Sequence, residues 1–126
     1  MNDISSHSAC YGEGRYQIIA MLTRTSSGAT LQIYGGDAPH IGCVLLCQPR
    51  MSLTGDGSVS VTSSVINLLS HKDDIIAIPA AEGLCKHINQ PVACSAGVHL
   101  DGAGEDEIMQ LVENTKKAMS ILLSSV

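Results

Sequence analysis

Residues 101–126, "DGAGEDEIMQLVENTKKAMSILLSSV", carry the pattern that most restricts what this chain can fold into. Apolar side chains recur at Ile108, Leu111, Val112, Ala118, Met119 and Leu122, the spacing of one helical face. Glu105, Asp106 and Glu107 fall in the first turn, where carboxylates suit the positive end of the helix dipole, and Lys116 and Lys117 come later. The pattern predicts an amphipathic helix of about four to five turns. A helix with one apolar face needs an apolar surface to pack on, and the preceding residues supply strands.

"YQIIAMLTRT" (16–25) and "TLQIYGG" (30–36), separated by the turn residues "SSGA", read as a β-hairpin. "IGCVLLCQP" (41–49) is an unbroken apolar run of strand length that Pro49 should end, and it predicts a strand covered on both faces. Within it Cys43, Leu45 and Cys47 share one face. After the "TGDGS" loop, "SVSVTS" alternates so that Val59 and Val61 share a face, as in an exposed edge strand or extended arm. Asp73 and Asp74 read as the N-cap and first turn of a helix through "IIAIPAAEGLCKHIN", with Pro79 expected to kink it. "QPVACSAGVHL" (90–100) is a further strand.

The order β-β-β-(β)-α-β-α predicts one α+β domain over residues 1–126: a mostly antiparallel sheet with two main helices in a two-layer sandwich. Residues 1–15 are expected to be loosely ordered. A sheet with helices on one side leaves its other face open, and dimerisation through that face or an edge would cover it.

The chain has 126 residues, enough for one core, and that core must be aliphatic, because Trp and Phe are absent and Tyr11, Tyr16 and Tyr34 are the only aromatic rings of that class. Seven Lys and Arg against twelve Asp and Glu give a net charge of −5, which opposes nucleic-acid binding. The N-terminus lacks the basic and apolar regions of a secretory signal, so a cytoplasmic location is expected. Five cysteines without a CxxC pair read as buried hydrophobes in a reducing compartment rather than as structural zinc ligands.

Three polar knots stand at the mouths of apolar elements. "GGDAPH" ends in His40; Gly35, Gly36 and Asp37 have the chemistry of a turn, which does not require the imidazole. "SHKDD" contains His71, Lys72, Asp73 and Asp74; the acids suit capping, while His71 and Lys72 beside a helix start would make an anion-attracting corner. "GVHLDGA" places His99 and Asp101 two apart at a strand end. The three knots are expected to converge on one ligand site. A mixed His and Asp metal site is the competing reading. Nucleophilic catalysis has no motif to support it, and the P-loop and dinucleotide glycine patterns are missing.

With "GGDAPHIG", "SHKDD" and "AGVHLDGAGEDEI" in this order, the chain resembles the prenylated-flavin chaperone family. Its namesakes are the small LpdD-like D subunits of gallate-type hydroxyarylic acid decarboxylases. The resemblance covers roughly residues 16–123, with Ser70 where the family has Gly and Pro79 inside the helix. It implies a fold like that of proteasome assembly chaperones, a homodimer, and a non-catalytic role. That role is holding prenylated FMN and delivering it to, or maturing it in, a UbiD-type decarboxylase. The residues named in the three knots would then be the cofactor contacts. Two rival classes remain: a purely structural subunit of the decarboxylase, and a small metal-dependent enzyme using His40, His71 and His99.

Overall fold

The computed structural model describes residues 3–68 and 73–126. Its elements are β1 (Ser5–Tyr11), a 3-10 turn (Gly14–Tyr16), β2 (Ile18–Arg24), β3 (Ala29–Gly36), β4 (Cys43–Met51), β5 (Val59–Asn67), α1 (Asp74–Ile88), β6 (Val92–His99) and α2 (Glu105–Leu123). The strands form one six-stranded sheet in the order β1-β2-β3-β6-β4-β5. Only β3 and β6 run parallel; the other neighbours are antiparallel. The fold is α+β, with both helices against one face.

Period-two alternation decides that face. Ile18, Ala20 and Leu22 of β2, Leu31 and Ile33 of β3, Cys43, Leu45 and Cys47 of β4, and Val92, Cys94 and Ala96 of β6 are all buried. They meet Ala77, Ala81, Leu84 and Cys85 of α1 and Leu111, Ala118, Met119 and Leu122 of α2. With no Trp or Phe available, the layer is filled by small and branched aliphatic groups, and each fully buried Leu, Ile or Val contributes about 1.5–3 kcal/mol. The burial desolvates the thiols and raises them: Cys43 to about 11, Cys94 higher still.

The predicted hairpin is β2–β3, and β5 is an edge strand. Three expectations change. Within residues 1–15, Ser5–Tyr11 is not loose but pairs along its whole length with β2, which has the antiparallel edge to receive it. The apolar run in β4 is covered on one face only: Val44 and Leu46 are 46% and 44% exposed, because both helices lie on the opposite side. Pro49 does not end that strand. Pairing of β4 with β6 stops at Cys47–Val92, so Pro49 sits where no β6 partner needs its missing N–H.

The open face presents Ile19, Met21, Val44, Leu46 and Ile66. The registers place Cys10, Tyr34, Gln32, Ala93, Ser95 and Ser64 among them, so its centre has no charged side chain. Pro79 lies within α1, with its side chain on the exposed side of the helix.

Candidate functional site

Inserting β6 between β3 and β4 brings together segments far apart in the chain. The carboxyl end of β6, the loop before β4 and the first turns of α1 and α2 enclose a cavity of about 230 Å³. His40, Asp73 and His99 stand on its polar side, and Ile75, Ile76, Val98, Leu100, Ile108 and Leu111 form its apolar wall.

Asp73 is the buried anchor, 6% exposed. Pairing between β4 and β6 ends where the Gly42 N–H donates to Ala96 O at 2.8 Å. The next inward amide of β6, Val98 N–H, donates instead to Asp73 Oδ1 at 2.9 Å. Asp73 Oδ2 lies 3.2 Å from His40 Nε2. Asp73 is the N-cap residue as expected, but its carboxylate does not cap α1; it satisfies the sheet. The buried Val98 amide needs an acceptor in place of a strand carbonyl, and the carboxylate supplies a strong one. The helix start is served by the Asp73 carbonyl, which accepts from Ile76 and Ala77 N–H.

Two glycines make this approach possible. A side chain on Gly42 would collide with the Asp73 carboxylate, and one on Gly97 would collide with the His40 carbonyl. His40 is therefore not at a strand start, as expected, but in irregular backbone laid across β6. Its Nδ1 lies 2.9 Å from Ala38 O. The His40 and His99 rings meet edge to face, centroids 6.3 Å apart. His99 is the last residue of β6, and its Nε2 is 2.9 Å from Asp101 Oδ1.

Gly35 and Gly36 are the end of β3 rather than a turn between paired strands, since the chain must cross past β6 to reach β4. Gly36 has φ 80°, and an added Cβ would strike the His99 carbonyl. The close approach at this pair is thus taken by the protein's own backbone. The same carbonyl accepts the Asp37 N–H at 2.6 Å.

Asp37 opens a second polar group that sequence reasoning missed in part. Arg15 Nη2 donates to Asp37 Oδ2 at 2.8 Å and to Asp101 O at 3.0 Å, while Nη1 is 3.3 Å from Glu107 Oε2. Tyr16 OH donates to Glu107 Oε2 at 3.0 Å, and Glu107 Oε1 accepts the N–H of Gly104, the N-cap residue of α2. The Asp101 N–H, followed by the Arg15 guanidinium, holds the Asp37 carboxyl below its usual range. The Gly104 N–H and the Tyr16 hydroxyl do the same for Glu107. Arg15 lay in the segment expected to be loose; the only local signal was a lone cation ahead of an acid-rich chain.

The structure therefore brings His40, Asp73, His99 and Asp101 together with Asp37 at one end of the sheet. Asp74 is the first residue of α1. His71 and Lys72 lie outside the described residues. Among the described residues no group of three His, Cys, Asp or Glu side chains is placed to hold a metal ion, and both ring nitrogens of His40 already face protein oxygens.

The two-layer α+β fold thus carries, at one end of its sheet, a mostly apolar cavity with two imidazoles and one buried carboxylate on its polar side. Residues 12–126 match the prenylated flavin chaperone LpdD-like domain, and the chain belongs to that family. No curated protein matches it. No helix among the described residues is long and apolar enough to cross a membrane.

Proposed function

We propose that this protein is a non-catalytic carrier that binds prenylated FMN as cargo and hands it to a UbiD-type hydroxyarylic acid decarboxylase. The observation that carries the reading is the convergence of His40, Asp73 and His99 on one cavity whose remaining wall is aliphatic. A flavin ring has one polar edge and one apolar edge, and this division suits it: imidazoles for the former, and for the latter the aliphatic side that runs through Ile75 and Ile76. The phosphate is assigned to Lys72 and His71, which immediately precede Asp73 in the chain and are suited to an anion. Asp37, Asp74 and Asp101 hold the rim in this reading, and Gly35 and Gly36 shape it without touching the ligand. The partial enclosure suits release, which a carrier requires.

The carrier acts as a homodimer joined through the open sheet face, in the reducing cytoplasm that its five free cysteines suit. A face whose centre carries no charge can meet a second copy of itself without like-charge repulsion, as a two-fold interface requires.

The test is to mix purified protein with reduced prenylated FMN and pass it over a sizing column. Co-elution of the flavin is the expected result, and a protein peak free of flavin absorbance defeats the reading. For delivery, apo-decarboxylase should mature faster or further with loaded carrier than with free cofactor. Equal rate and extent would leave binding without delivery.

A further inference from the structure

A second cavity, about 270 Å³, lies in the groove between α1 and α2 and shares Ile75 and Ile76 with the first. Both helices enter the site by their N-terminal turns, so the two cavities follow one another down the same groove. The wall of the second comes from Pro79, Ala80 and Gly83 on α1 and from Val112 and Met119 on α2. Thr115 also lines it, but its hydroxyl is spent on the Leu111 carbonyl at 2.8 Å. Lys116 is held at the rim by Glu113 at 3.2 Å.

Gly83 keeps this groove open. It stands inside a 15-residue helix, where Gly is less favourable than Ala, yet a Cβ there would meet no atom within 4 Å. Gly83 is exposed and does not take a positive φ, so neither packing nor backbone conformation requires glycine there.

We infer that this groove is a ligand subsite continuous with the candidate site, taking the apolar edge of the same flavin whose polar edge meets His40 and His99. The inference rests on the cargo reading above and extends it. Size supports it: pockets for ligands of this class run to roughly 300–1,000 Å³, so the first cavity alone is too small and the two in series suffice. Ile75 and Ile76 line both cavities and so place them side by side, which favours one ligand spanning both over a separate occupant. Met119 supplies an adaptable, polarizable contact for a flat ring.

The experiment measures affinity for reduced prenylated FMN in the parent, Gly83→Ala and Gly83→Leu, with circular dichroism and thermal melts as the check on folding. Because the site at Gly83 is open, both variants should fold as well as the parent or better. Gly83→Leu should bind the flavin at least tenfold more weakly, with a smaller loss for Gly83→Ala, and flavin should shift the Met119 methyl resonance of the parent. Unchanged flavin affinity in folded Gly83→Leu overturns the subsite while leaving the carrier reading intact. The same holds if that variant keeps its affinity but loses association with the decarboxylase or with its second copy, since the groove would then belong to a protein partner. If the parent itself binds no flavin, the carrier reading and this inference fall together.

Discussion

Asp73 Oδ1 accepts the Val98 backbone N–H at 2.9 Å, so a residue that begins a helix completes the hydrogen bonding of a central strand. The contact ties the first turn of α1 to the carboxyl end of β6, and the other carboxylate oxygen passes the connection on to His40. Stability and site geometry are thereby carried by the same side chain.

Asp73→Ala should destabilise the protein by about 1–3 kcal/mol, because it strips a buried amide of its acceptor. Asp73→Asn, which keeps an oxygen for Val98, should recover part of the loss. Urea unfolding of the three proteins decides it; equal midpoints would mean that the carboxylate is structurally idle.

Gly36→Ala should be costly for a different reason. The backbone there has φ 80°, and the new methyl would be driven against the His99 carbonyl. Left-handed strain alone costs on the order of 1–3 kcal/mol. The displaced His99 should also weaken flavin binding; a melting temperature equal to the parent's would contradict the strain at Gly36.

Acid should loosen the corner around Arg15. The folded values of Asp37 and Glu107 lie below their unfolded ones, near 3.9 and 4.3. Their stabilisation is therefore present above about pH 4 and lost as pH falls through the lower folded values. Melting temperatures between pH 6 and pH 2.5 should fall, and Arg15→Met should flatten the fall without abolishing it, since the Asp101 and Gly104 amides remain. A parallel fall in both proteins would remove Arg15 from this role.

The open sheet face gives a prediction about association and thiol chemistry together. Cys10 is exposed on that face beside Ile19, while Cys43, Cys47, Cys85 and Cys94 are buried. Thiol labelling of native protein should show one fast group, and its rate should drop with rising protein concentration as dimers cover it. Leu46→Glu should yield a folded monomer by light scattering and restore fast labelling at all concentrations. A monomeric parent at micromolar concentration would contradict this.

For the cargo, His99→Ala and Lys72→Ala should each weaken prenylated FMN binding on the order of tenfold to a hundredfold, the effect of losing one charge-assisted hydrogen bond. His99 is half exposed, so its replacement should leave the melting temperature nearly unchanged. His40→Ala should lower both affinity and stability, because it removes a partner of the buried Asp73.

Some of this molecule was written in local pattern. The 3.6-residue period of 105–123 and the two-residue period of Ile18, Ala20 and Leu22 each commit a backbone type and a buried face using neighbours alone, so α2, the hairpin and the inward set of β4 were legible. The order of the strands was not. Nothing in the run from Cys43 to Cys47 says that β6 will lie beside it, or that no second layer will cover Val44 and Leu46. That depends on where other elements dock. The polar residues of the site were visible as types, and their convergence was a reasonable expectation from their places at element ends. Their bonding was decided in three dimensions. Asp73 has the spelling of a cap, but β4 turns away at Gly42, leaving the Val98 amide buried without a strand partner. The nearest strong acceptor, admitted by the missing side chain of Gly42, turned from its own helix to meet it.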